Sequence, residues 1–258
     1  MPTSLLPVLT QLFDDAGLFP PARRPMAEAL QVHHAARTGP HGALVGPFVC
    51  PMARLDELDA CVAAGVPAPP YLSLVVYQGE TPSRRALMRA GVVQVEVPLG
   101  VSLPSEALRV RRYFELPPGG DVEAAVDEAA ASRARVKVRC GGLTPDMVPS
   151  PRRLAETLVA CARRRLPLKA TAGLHHPFRH HQADLGGPQH GFLNLLAAGA
   201  AAAAGADADE LEKVLETEEA DGGAVVDRVD RHARELVVSI GTCSIDEPVG
   251  DLRKLGLL

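Results

Sequence analysis

Ala134-Arg-Val-Lys-Val-Arg-Cys140 decides how this chain is read. Val136 and Val138 alternate with Lys137 and Arg139, the period of two expected of a strand with one apolar and one polar face. Pro167-Leu-Lys-Ala-Thr-Ala-Gly173 repeats the pattern, with Lys169 and Thr171 sharing a side. So does the run 92–99, where Gln94 and Glu96 lie opposite Val93, Val95 and Val97. In an open parallel sheet both faces meet helices, and strands run continuously apolar. Polar stripes inside such strands fit the lumen of a barrel, whose C-terminal mouth is the usual active-site face.

Outward from these runs, strands and helices alternate. Strands are expected at 43–49, 71–77, 92–99, 110–116, 135–140, 168–172 and 236–242, and helices at 52–64, 83–90, 122–133, 151–164 and 191–219. Pro82 and Pro151 suit first helical turns, and Gly65 and Gly91 suit helix ends. This spacing implies parallel βαβ units. The fold class is therefore α/β, a TIM-like (β/α) barrel of seven or eight strands forming one domain over residues 1–258. Two readings of the eighth position stand open. Either 224–229 supplies the strand, or an N-terminal helix at 5–13 plugs an incomplete barrel. The acidic stretch 207–221 reads as a solvated helix, followed by a turn at Gly222-Gly223.

Composition narrows the function. The chain has 258 residues, 47% hydrophobic, enough for one large core. Net charge is −4 with dispersed basic residues, and aromatics are 3% without Trp, so neither the basic footprint nor the stacking platform of a nucleic-acid binder is present. Five cysteines without close pairing suit a reduced, cytoplasmic protein. Residues 1–16 lack a basic leader and soon meet Asp14 and Asp15, against a secretory signal. The Ala-rich run 192–206 is too short to span a bilayer. No cofactor or membrane partner is expected; assembly into a homo-oligomer stands open.

Only four of the 27 basic residues are lysine, and two of them lie inside the polar stripes. Ammonium can lose its proton on burial; guanidinium cannot. Lys137 and Arg139 on one strand are expected to depress the pKa of Lys169 on the next, making Lys169 a nucleophile for a carbonyl or, if it stays charged, an electrostatic catalyst. Glu96 would orient a lysine or act as base. Arg139 and Thr171 would hold an anionic substrate. A buried ion network, with Glu96 and Glu115 neutralising both lysines, is the purely structural counterpart.

Gly173-Leu-His-His-Pro-Phe-Arg-His-His-Gln182 follows, and five of the nine histidines lie within 175–190. His175 and His176 leave the strand end most directly and are the expected proton carriers. A metal held by His175, His176, His180 or His190 with Glu96 or Glu247 is the alternative, although no H-x-H or H-E-x-x-H spacing occurs. Gly141, Gly142 and Gly173 follow strands where backbone N–H groups approach anions. Cys243 and Asn194 complete the expected substrate contacts.

Lys169-Ala-Thr-Ala-Gly173 resembles the Schiff-base strand of the deoxyribose-phosphate aldolases, where a Lys-Thr-Ser-Thr-Gly run carries the reactive lysine on a late barrel strand. Lys169 and Gly173 match, and Thr171 stands opposite a serine. The resemblance implies a barrel with Lys169 as the carbinolamine-forming residue. That family keeps a second lysine on the following strand, whereas here Lys137 is on the preceding one and the His-rich segment has no counterpart. The whole chain also resembles a bacterial barrel family to which no activity is attached. The functional expectation is a class I aldolase-like lyase acting on a small phosphorylated or carboxylated carbonyl compound. The rival expectations are a metal-dependent barrel enzyme and a non-catalytic barrel binding an anionic metabolite.

Overall fold

Eight parallel strands, each bonded to the next, close on themselves in the computed structural model, which describes residues 5–142, 144–182 and 187–258. They are β1 (Phe13–Asp15), β2 (Val45–Pro51), β3 (Leu72–Val75), β4 (Val92–Pro98), β5 (Arg111–Glu115), β6 (Arg135–Arg139), β7 (Leu168–Thr171) and β10 (Val237–Thr242). A separate antiparallel pair, β8 (His180–Gln182) and β9 (Gly187–Gln189), is built from the histidine-rich segment. All seven expected strands are present and the barrel is complete.

The eighth stave is β1, which closes the ring by pairing with both β10 and β2. Both earlier readings of that position are corrected. Residues 224–229 fall in α9 (Gly222–Val226) and the chain after it, so Gly222-Gly223 opens a helix instead of making a turn. The expected N-terminal plug is a single turn, α1 (Leu6–Leu9), leading into the strand; residues 1–4 of the leader reading lie outside the described residues. β1 holds its place through alternation. Phe13 packs edge-on against Phe192, with ring centroids 5.4 Å apart, and Asp15 meets His33 of α2 (Met26–Thr38) at 3.1 Å. Asp14, between them, points into the lumen. Gly46 of β2 makes room for it, because a Cβ there would collide with the Asp14 carboxylate.

The shell follows the same local logic. Ser150 caps α6 (Pro151–Arg163) by accepting the Arg153 N–H, and Leu154, Leu158 and Cys161 form its buried stripe. The long helical run 191–219 breaks at Gly205 into α7 (Phe192–Ala203) and α8 (Ala208–Glu216). α7 is almost wholly buried, and its small residues let it lie close to the barrel: a Cβ on Gly199 would sit 2.7 Å from Val237 Cγ2. α8 is anchored by a reciprocal Asp207–Glu210 capping box and buries Leu211, Val214 and Leu215, so it is amphipathic and not solvated all round. Val95, Val97, Val136 and Val138 join the shell core, as the alternation requires. No helix among the described residues is long and apolar enough to cross a membrane.

Candidate active site at the barrel mouth

Neighbouring strands in register bring the two lysines together, since Lys137 and Lys169 are partners across the β6–β7 ladder. Each meets carboxylates from other staves. Lys169 Nζ bonds Glu96 Oε1 at 2.6 Å and also Asp14 Oδ2, and stands 5.7 Å from the Tyr113 ring centroid. Lys137 Nζ pairs at 2.8 Å with both Glu96 Oε2 and Glu115 Oε2. Glu96 therefore bridges the two ammonium groups, one oxygen to each. Ser73 Oγ also donates to Glu96, and Gln94 Nε2 donates to Asp14 Oδ2 at 2.7 Å.

This arrangement reverses one expectation. Burial does act to lower the pKa of Lys169, but Asp14 and Glu96 outweigh it, and the net shift is upward. The same contest at Lys137, against Glu96 and Glu115, also ends above the ordinary lysine value. Burial raises Glu96, yet the two ammonium groups hold it well below the usual carboxylate range. Lys137 and Arg139 do not make Lys169 a neutral amine. Its resting form is a cation pinned between two anions.

Above this floor opens a cavity of about 440 Å³ at the C-terminal ends of the strands. Glu96, Lys137, Lys169 and Thr171 lie at its base. Its walls are largely apolar: Phe19, Pro20 and Pro21 follow β1, and Val49, Val75 and Met147 stand around them. Arg139 reaches the rim with its side chain 47% exposed, and its only ion pair among the described residues is a 3.5 Å one to Glu115. Most of its guanidinium donors are therefore open to an anion.

Past the end of β10, two staves from β6, His175 Nδ1 lies 2.6 Å from Glu247 Oε2, and His175 Nε2 lies 3.8 Å from Cys243 Sγ. A carboxylate on Nδ1 fixes the proton there and leaves Nε2 as the basic nitrogen. Glu247 sits in the first turn of α11 (Asp246–Lys254), directly after the chain leaves β10. Ala172 and Gly173 both have positive φ at the end of β7, turning the chain sharply so that His175 comes back over the cavity.

The other expected residues separate. His176 lines the cavity but is turned to Asp251, 2.7 Å away. Gly142 and Gly173 line it too, whereas Gly141 packs under the turn: a Cβ there would fall 2.7 Å from Gly173 Cα. Asn194 is corrected, because it is buried in α7 with its amide on Val214 O and Thr217 O and its carbonyl on the Arg179 N–H. His190 is buried, donating from Nε2 to Pro149 O. Among the described residues no group of three or more His, Cys, Asp or Glu is arranged to hold a metal. Asp14 and Ser73 were not read as site residues. Phe13-Asp14-Asp15, an aromatic beside two acids, was the one hint, and three residues are too few to show a period.

A closed eight-stranded parallel barrel with a charged pocket at its C-terminal mouth defines the class: TIM-like, a fold commonly enzymatic. No protein-family model, curated protein or solved structure matches the chain.

Proposed function

We propose that this barrel is an enzyme acting on a small phosphorylated or carboxylated carbonyl compound, and that its lysines act as fixed positive charges and not as a Schiff-base nucleophile. The observation that carries this reading is the shared carboxylate. Glu96 holds Lys137 and Lys169 as paired ammonium groups at the base of a mouth-facing cavity. Lys137 is the one at hand for a ligand. It is 5% exposed where Lys169 is 0%, and two of its three N–H groups are taken. The third is available to a carbonyl oxygen. Charge developing on that oxygen meets Lys137 directly and Lys169 behind it, in a dry setting where such charges count most. Arg139 takes the anionic group of the substrate in a fork geometry. His175, aligned by Glu247, moves the proton. The reaction class this supports is a lyase in which a carbonyl serves as electron sink.

Polarising a carbonyl acidifies the neighbouring C–H, so the test needs no knowledge of the natural substrate. Dihydroxyacetone phosphate and pyruvate in D2O, followed by proton NMR, are expected to exchange those hydrogens in the presence of the protein. Lys137→Met should slow the exchange by roughly 10²–10³. Absence of exchange with either compound would remove the lyase reading. Borohydride trapping of either compound on Lys169 would instead restore the Schiff base.

A further inference from the structure

We propose that Cys243 is a covalent nucleophile at the rim of the cavity, with His175 as its base and Glu247 as the residue that positions the imidazole, and that it adds to small anionic aldehydes. The proposal rests on the reading of the cavity as a carbonyl site and changes which atom attacks. With both amines held as ammonium ions, the sulfur is the attacking atom within the cavity lining that has a base beside it.

Three groups fall in line. Glu247 Oε2 accepts a hydrogen bond from Nδ1–H at 2.6 Å, which leaves the Nε2 lone pair facing Cys243 Sγ at 3.8 Å. This is the order nucleophile, base, orienter that activates a thiol irrespective of fold. The thiol is held in place from its own backbone: Arg24 Nη1 donates to Cys243 O at 2.8 Å. Burial raises the Cys243 pKa and the Glu247 carboxylate adds to the rise, opposed by a backbone hydrogen bond from Ala22 and by the charge of Arg24. Cys50, Cys140 and Cys161 differ, for burial pushes each up to about 12 and none of them lines the cavity.

The addition balances without another reactant. The Sγ–H bond breaks and its proton passes to His175 Nε2, while an Sγ–C bond forms at the aldehyde carbon. The carbonyl π pair moves onto oxygen, which then takes the proton back from Nε2, giving a neutral thiohemiacetal. Arg139 is the cation open to the aldehyde's anionic group. Thiol addition and C–H proton removal use the same Nε2 lone pair, so an aldehyde held on sulfur is not enolised.

Two readouts test this. Iodoacetamide at limiting concentration, followed by peptide mass spectrometry, compares Cys243 with the partly exposed Cys61 in the same molecule. Cys243, although only 6% exposed, is expected to be labelled faster. His175→Gln should slow its labelling on the order of 10², and Glu247→Gln should move the midpoint of its pH profile. Glyoxylate labelled with ¹³C at the aldehyde carbon should then give a protein-bound sp³ carbon signal that Cys243→Ser lacks. Glyoxylate has no hydrogen on a neighbouring carbon, so failure of the exchange reaction proposed above leaves both readouts intact. Labelling of Cys243 no faster than Cys61, a rate unchanged in His175→Gln, or a glyoxylate signal that persists in Cys243→Ser overturns the proposal.

Discussion

The floor of the barrel and the histidine-rich segment above it both bring acids and bases together, and they do so in opposite ways. On the floor the charges are answered and all but Glu115 are buried: Lys169 is met by Asp14 and Glu96, Lys137 by Glu96 and the partly exposed Glu115. Mutual attraction drives the lysines up and Glu96 down, so none of these three changes its charge near neutral pH. In the upper segment the pairs His175–Glu247 and His176–Asp251 are partly open to water, and each leaves one imidazole nitrogen outside the pair. An imidazole has one nitrogen that donates and one that accepts, so it can pass a proton from one side to the other. The lesson is a division of labour: a fixed field below and movable protons above.

The contrast is broken most directly by Lys169→Met. It leaves Asp14 and Glu96 buried without the cation they share, and should cost about 3–5 kcal/mol of stability in urea unfolding. Adding Asp14→Asn and Glu96→Gln should recover part of that loss. A cost under about 1 kcal/mol would mean that the floor charges are not dry, and the distinction between the regions would fail.

His190 sharpens the comparison, because it is the buried member of the upper segment. Burial pushes its pKa down to about 4, with the hydrogen bond to Pro149 opposing. The unfolded chain therefore binds this proton more readily than the folded one. Its contribution is complete above the ordinary histidine value and is lost as pH falls toward 4, by at most about 3 kcal/mol. Urea midpoints at pH 7 and pH 4.5 should differ less in His190→Gln than in the parent protein. Equal differences would show that His190 does not carry the acid sensitivity.

The smallest effect belongs to the exposed pairs. Asp251→Asn removes the carboxylate bonded to His176 and to Lys254, and should change stability by less than about 1 kcal/mol in the same urea assay. A larger loss would place the His176 pair with the floor.

Much of the floor was legible beforehand because strand period two is a local property. Lys137, Arg139, Lys169, Thr171, Gln94 and Glu96 were placed on the right faces by alternation alone. Glu115 was read as a neutralising partner and is one. What alternation could not show was how the charges add. Two lysines in neighbouring strands read either as mutual repulsion or as a network neutralised by Glu96 and Glu115. The network is what forms, with Asp14, 155 positions from Lys169 in the chain, as its unread member. Asn194 failed for a related reason: a polar residue after a histidine-rich segment reads as a ligand, but its amide closes the junction between α7 and the end of α8.

The sequence by itself determined the alternation of strand and helix, the polar lumen and the two inward lysines, since side-chain period and turn chemistry are written within a few residues. Only the tertiary structure decided that three residues at the N-terminal end close the ring and that the lysines stay charged. It also decided that His175 stands between a carboxylate and a thiol. Those outcomes depend on which distant groups share a dry volume, because in a medium of low polarity the nearest opposite charge decides protonation.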